Sequence, residues 1–421
     1  MKIIEHLGIL DLLKEKFNYT MNPNSFESMV DMISEFPISR QKILDRNRDL
    51  KRLQDDLYLF QNYSYNKIYF NEMFRYLNVA IDKIDMSLNL FRTKEKIDLV
   101  KHKVELTLSM FKKIYQTLVK LDKYNYSDHF NNQIALICNF IERIELESKY
   151  EISKERRLNY WEIAKINNIL FEKNREGKIT TFFNSIFFFE AYLSLSLGIQ
   201  ENSFCFAEIS ENDISIQGFF HPLLKKPVSN TYRTTSNITI LTGANMSGKS
   251  TFLKSISICI YLSNIGMAIP ANEAKIPLFE CIFISINKVD NIKSGYSHFM
   301  SELVNLKEVF IALKEKKKCF CIFDEIFNGT NVNEGKFLIF ETIKGFCKYK
   351  DSFFYISTHN IDLKDNSINK IESILAYTDT YHLECIITDG KPIYTYKLKP
   401  GSSDINVASL LFDIVGIRAL L

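Results

Sequence analysis

The eight cysteines of this 421-residue chain form no C-x-x-C pair and no metal-ligand spacing. That leaves no zinc or dithiol pattern, so a reducing, cytoplasmic compartment is expected. Cys319 and Cys321 lie in an apolar run and read as core thiols. Strong charge is missing too. The net charge is +3, with 30 basic against 27 acidic residues in 1–200 and 23 against 23 in 201–421. Without a basic tail or half, nucleic-acid binding would need a local patch. No apolar run reaches 18 residues without a charged or polar interruption, so no transmembrane helix and no membrane partner are expected. The opening MKIIEHLGILDLLKEKF has charges inside its apolar stretch and no cleavage site, and is not read as a signal peptide. There is no internal repeat and no low-complexity linker. With 46% hydrophobic and 24% charged residues, the chain has the composition of an ordinary globular protein with room for two or three domains.

Two kinds of periodicity are present, and they divide the chain. Up to about residue 202 the apolar spacing is three to four, predicting helices over 25–35, 39–58, 65–91, 94–121, 129–148, 153–174 and 181–197. Pro37 separates the first two, Ser39 is a candidate N-cap, and Gly177 is a stop. Residues Ile97, Val100, Val104, Leu108, Phe111, Ile114, Leu118 and Leu121 form a seam for another helix. From residue 203 strands enter, at 204–209 and 213–219, followed by the break His221-Pro222. Strands at 238–242, 281–286, 319–323 and 352–357 then alternate with helices at 249–265, 298–314 and 334–347. A terminal hairpin over 381–387 and 393–398 and a last helix over 405–415 complete the chain. The expected fold is therefore an α/β domain with a mostly parallel sheet over 203–421, preceded by an all-α domain over 1–202.

The stretch NITILTGANMSGKST, 237–251, places a G-x-x-x-x-G-K-[ST] motif between a strand and a helix. Gly243 and Gly248 allow the backbone to turn its N–H groups inward over Ala244, Asn245, Met246 and Ser247. The helix start at Lys249-Ser250-Thr251 adds positive potential, making a phosphate cradle. Lys249 supplies a point charge to the β/γ-phosphates, and the Ser250 hydroxyl can ligate Mg²⁺. These features point to ATP·Mg²⁺.

Phe320–Glu325 reads as a buried strand ending in two carboxylates, which parallel topology brings to the same sheet edge. There Asp324 can hold Mg²⁺, and Glu325 can orient and deprotonate an attacking water. His359, in Ser357-Thr358-His359-Asn360 after the next strand, can donate to a γ-phosphate. Ser297, in DNIKSGYSHFMSE, opens a helix and reads equally as a plain N-cap or as part of an anion site.

GANMSGKST, SGYSHFMSE, FDEIFNGTN and STHN occur in this order at compatible distances. Together they resemble the ATPase domain of the MutS family of DNA mismatch-repair proteins. Asn245, Met246 and Asp-Glu-Ile followed by Gly329-Thr330 carry the likeness, and PGSSDINVASLLFDIVGI from Pro400 is similar to the family's helical C-terminal dimerisation segment. The resemblance covers about 203–417, and 26–55 is similar to the start of the family's helical core or lever. It implies an ABC-like P-loop ATPase, acting as a homodimer or as a heterodimer with a MutS-like relative, with two ATPs at the interface. Lys249, Ser250, Asp324, Glu325 and His359 would act in cis. Ser297 resembles the serine that reaches the partner's γ-phosphate, and Tyr232 the aromatic that stacks on adenine.

The sequence also departs from the family. It contains no candidate for the family's mismatch-reading domain with its Phe-x-Glu wedge, nor for the connector domain. The break Asp122–Asp128 is too short for the DNA clamp, and Phe327-Asn328 replaces Gly-Arg. The expectation is a short MutS-like ATPase coupled to DNA in mismatch repair or a related transaction. The alternative is an ATP-switched assembly module whose helical arm binds a protein or an RNA/ribosome partner. A transporter- or SMC-type ATPase ranks below both, because no L-S-G-G-Q sequence is present.

Overall fold

The computed structural model describes residues 2–61, 63–86, 90–121, 125–151, 157–286, 298–327, 330–358, 377–389, 391–403, 407 and 414–415. In chain order the helices are α1 (Lys2–Leu7), α2 (Ile9–Leu12), α3 (Pro23–Ser34), α4 (Arg40–Asp55), α5 (Lys67–Arg75), α6 (Leu90–Leu118), α7 (Asp128–Ser148), α8 (Tyr160–Arg175) and α9 (Lys178–Glu201). After β1 (Glu208–Ser210), β2 (Ser215–Phe219), β3 (Asn230–Arg233) and β4 (Ile238–Thr242) come α10 (Lys249–Asn264), β5 (Glu273–Pro277) and β6 (Cys281–Ser285). Then follow α11 (His298–Lys314), β7 (Cys319–Asp324), α12 (Val332–Phe346), β8 (Phe353–Ser357), β9 (Asp379–Thr388) and β10 (Lys391–Pro400).

The chain divides into two units, but not by a single cut. One unit is Lys16–Ile33 with Leu44–Glu201. The other joins Asn202–Leu421 to Met1–Glu15 and Ser34–Ile43, two stretches expected with the helical domain. The reason is packing: α1 lies against α10 and β6.

Among the described residues the first unit is helical, built around α9. This helix is apolar on all sides and long enough to cross a membrane, yet 83% of its apolar window is buried within the protein. Phe182, Phe183 and Phe189 are buried: Phe182 meets Phe111 and Phe140, Phe183 meets Phe70 and Phe74, and Phe189 meets Phe60. The α6 seam packs inward against α7 and α8, with Ile97, Val104, Leu108, Phe111, Ile114 and Leu118 buried. The predicted helix over 65–91 is interrupted. After α5 a π turn over Tyr76–Ala80 ends in extended backbone at Ile81. Side-chain amides take over the backbone there: Asn168 bonds both N and O of Ile84, at 2.8 and 2.9 Å, and Asn167 bonds Asp82 O at 2.8 Å. Such bonds compete with helix hydrogen bonds.

The second unit holds two sheets. The larger has the order β10-β9-β4-β8-β7-β6, with β9, β4, β8, β7 and β6 parallel and β10 antiparallel at the edge. All residues of β4, β7 and β8 are buried. Alternating positions divide the packing. Cys321, Phe323, Phe354 and Ile356 face a core shared with α11 and α12, while Phe320 and Tyr355 pack against Phe279 and Tyr232. The smaller sheet, β1-β5-β2-β3, includes two strands with no sequence signal strong enough to predict them. NTYR and EAKIP are short, and they form because β2 pairs with both.

Candidate nucleotide site

The buried strand β4 delivers the candidate phosphate loop. Its start is tied down by Asp379, whose Oδ2 accepts from the amides of Thr235 and Ser236, each at 2.8 Å. The Asn237 side-chain amide donates to Tyr349 O and Ser352 O at 3.0 and 3.1 Å. Beyond Thr242 the backbone takes positive φ at Gly243 (134°), Met246 (67°) and Gly248 (96°). A side chain at Gly248 would place its Cβ 3.1 Å from Tyr396 Cδ1, and one at Gly243 would lie 3.0 Å from Ser247 Oγ. Met246 is 72% exposed, so the loop's turn presents it outward.

Three observations fit this loop to an anion. Gly248 caps α10 without a side-chain hydrogen bond, leaving the first helical N–H groups to an external acceptor. Ser247 Oγ is buried without a partner. Lys249, 5% exposed, turns its Nζ onto the loop's own carbonyls, Gly243 O at 3.0 Å and Ala244 O at 3.2 Å. Burial pushes the Lys249 ammonium below its ordinary pKa, against the opposing pull of the Glu325 and Asp324 carboxylates. Ser250 and Thr251 follow on the first turn of α10.

The carboxylates arrive on β7, two strands from β4, with β8 between them. Asp324 is buried and pairs in register with Ser357, the last residue of β8. The Ser357 hydroxyl donates to Asp324 Oδ1 and accepts from the Glu325 amide at 2.9 Å. Glu325 has φ 54° and Phe327 φ 63°. Left-handed backbone at a non-glycine residue costs roughly 1–3 kcal/mol, and it persists where surroundings over-determine it. Here the Phe327 amide donates to Glu302 Oε2 at 2.7 Å, and Glu302 is buried on α11. From β8, the Thr358 amide donates to Leu241 O at 3.2 Å, linking this strand end to the phosphate-loop strand.

Tyr232 does not reach the loop as a stacking surface. Its ring is buried at 1% exposure, enclosed by Phe252, Tyr355 and Tyr381, and its hydroxyl bonds Thr239 Oγ1 at 2.6 Å. Two tyrosines of β10 lie beside the loop: Tyr394 packs against the cluster containing Ala244, and Tyr396 lies next to Gly248. A register shift in the β9–β10 hairpin gives Tyr396 a φ of 58°, and it stays 45% exposed over Gly248. Asn230 fixes this bulge by bonding Tyr396 O at 3.0 Å and the Leu398 amide at 2.8 Å. Ser297, His359, Gly329 and most of the predicted helix over 405–415 lie outside the described residues.

Residues 239–412 match the family model for MutS domain V. The nucleotide-site half resembles MutS. A DNA mismatch repair protein MutS from Geobacillus sp. is 28% identical over 224 residues, half of this chain and 25% of that protein. The DNA mismatch repair protein MSH3 of Yarrowia lipolytica is 30% identical over 211 residues, 48% of this chain and 20% of its own. A MutS of Bacillus cytotoxicus reaches 32% over 178 residues, 41% and 19% of the two chains. The matched part thus spans about a quarter or less of these curated relatives. The family-model match takes in the candidate phosphate loop, both strand-end carboxylates and the β9–β10 hairpin.

Proposed function

We propose that this chain is a MutS-like ATPase, an ABC-like P-loop domain joined to a helical lever. The observation that carries this reading is the parallel strand order β4-β8-β7, which brings the uncapped start of α10 with Lys249 and the strand end with Asp324 and Glu325 to one sheet edge. The phosphate loop over Gly243–Ser250 and Thr251 would hold the phosphates of ATP, with Lys249 on the β/γ oxygens. Ser250 and Asp324 would hold Mg²⁺, which supplies charge neutralisation at the phosphates when bound. Glu325 would orient water and accept its proton, and His359 would donate to the γ-phosphate. The placement of β8 between the phosphate-loop strand and the carboxylate strand supports the ABC-like assignment. Two copies, or this chain and a MutS-like relative, would share two ATPs, with Ser297 completing the partner's site and the 405–415 segment aiding dimerisation. The relatives' names support coupling to DNA in mismatch repair.

Two measurements test this. Titration calorimetry with ATP·Mg²⁺ is expected to show binding by the parent chain and none by Lys249→Ala. DNA binding across a salt series is expected to give a steep slope of log affinity against log salt, because phosphate contacts release counterions. Equal ATP affinity in parent and variant would overturn the ATPase reading. Salt-insensitive or absent DNA binding would overturn the coupling to DNA.

A further inference from the structure

We propose that Ser357 and Glu302 are positioning residues that hold the backbone hook Glu325–Phe327 in the shape aiming Glu325; this rests on the ATPase reading above. Glu325 and Phe327 both have left-handed backbone, at φ 54° and 63°, with only Ile326 between them. Neither is a residue type that visits this region readily. Each of the two amides is captured. The Glu325 amide donates to Ser357 O at 3.1 Å and to its Oγ at 2.9 Å, and the Phe327 amide to Glu302 Oε2 at 2.7 Å. Both captors are buried, Ser357 at 0% and Glu302 at 3% exposure.

The two grips differ in what they fix. The Ser357 hydroxyl also donates to Asp324 Oδ1, so one group orients the carboxylate proposed to hold Mg²⁺ and the amide of the proposed base. Outer partners of this kind govern metal affinity as well as geometry. Glu302 meets the hook at its far end, the Phe327 amide. It acts with Phe299, one turn earlier on α11, whose ring meets the buried Phe327 ring at 6.0 Å. Positions three apart share a helix face, so α11 grips Phe327 by its amide and by its ring. Burying a carboxylate without a donor is costly, and the hook amide is a donor for this one.

The test is steady-state ATP hydrolysis by the full chain over a range of Mg²⁺ and ATP concentrations, with melting curves alongside. Ser357→Ala is expected to raise the half-saturating Mg²⁺ about tenfold. It should also lower kcat about tenfold or more while KM for ATP stays within about twofold. Ser357→Thr restores the hydroxyl and should restore both. Glu302→Ala is expected to lower kcat without moving the Mg²⁺ dependence, and Glu302→Gln, which keeps an oxygen acceptor for Phe327, to retain most of the turnover. A purely structural role would lower the melting temperature and leave the Mg²⁺ half-saturation of the folded fraction in place. Parent-like kcat and Mg²⁺ dependence in Ser357→Ala overturns the proposal, and this pair decides it even if Glu302→Ala does not fold. A folded parent without ATP turnover is a different result, and overturns the ATPase reading itself.

Discussion

Substituting Gly248 by alanine probes the phosphate loop at its tightest point. The residue has φ 96°, outside the range an alanine adopts without strain, and the added Cβ would lie 3.1 Å from Tyr396 Cδ1. Backbone strain alone is about 1–3 kcal/mol at such a position. The free variant sheds it by letting the loop relax, because among the described residues only Lys249 Nζ and the Ser247 amide bond across the loop. Nucleotide binding must then rebuild the nest of N–H groups, so the strain reappears in the dissociation constant. At about 1.4 kcal/mol per decade, the expected loss in ATP affinity is roughly 5- to 150-fold. Gly177→Ala separates backbone strain from site geometry. Gly177 has φ 71°, and its added Cβ would meet nothing within 4 Å. That variant is expected to lose about 1 kcal/mol of stability and no ATP affinity. Titration calorimetry with ATP·Mg²⁺, with melting curves for both variants, is the assay. Parent-like ATP affinity in Gly248→Ala would refute the inference that this loop cradles phosphate in the conformation described.

Further outcomes follow from the same geometry. Glu325→Gln removes the proposed base and leaves Lys249 and Asp324, so it is expected to bind ATP without turning it over and to accumulate as an ATP-bound dimer by light scattering. Adding Ser297→Ala should dissolve that dimer without loss of ATP, and a monomeric Glu325→Gln at saturating ATP would sink the shared-site model. Tyr396→Ala is expected to weaken ATP binding about tenfold, as loss of one base–aromatic stack does. Tyr232→Phe, which loses the hydroxyl's bond to Thr239, should cost about 1 kcal/mol of stability and no affinity; the reverse pattern would return the stacking role to Tyr232. In the helical unit, burial raises the Glu190 carboxyl above its ordinary 4.5, despite donors from Ser25, Tyr65, Tyr63 and Asn22. The native state then binds more protons than the unfolded chain just above pH 4.5, so this group's contribution is full below that pH and is lost as pH rises through its folded pKa. Glu190→Gln should flatten that part of the melting-temperature profile relative to the parent, and identical profiles would show that the carboxyl is not desolvated as described.

What could be read from sequence divides by the reach of the signal. The phosphate loop, the strand-end carboxylates and the alternation of β4, α10, β7, α12 and β8 are local patterns, in which a few adjacent residues carry both the conformation and the chemistry. The same holds for the apolar seam of α6 and for α9, where 3.6-residue periodicity or all-round apolarity is enough. The break after α5 left no such trace. It depends on Asn167 and Asn168, which lie more than 80 positions downstream and bond its backbone. The assignment of residues 1–15 and 34–43 to the unit with the large sheet was hidden in the same way, because helical periodicity does not say which core a helix covers.

The site itself shows the same division more sharply. Tyr232 and Tyr396 are both tyrosines in β segments, and nothing local says which one faces the loop. The decision is made by two distant features. Thr239 on β4 offers a buried partner to the Tyr232 hydroxyl, which draws that ring into the core. The register shift opposite Leu383–Cys385 turns the β10 backbone at Tyr396 into left-handed φ, with Asn230 bonding its carbonyl. Ser357 and Glu302 were equally silent, as a serine ending a strand and a glutamate in an amphipathic helix. Their positions become meaningful only when β8 lies beside β7 and α11 packs over the strand end. Both then meet a backbone whose own residues, Glu325 and Phe327, would not choose its φ values. A motif therefore marks where chemistry can occur, and the groups that set its geometry are found by asking which distant side chains satisfy the backbone it strains.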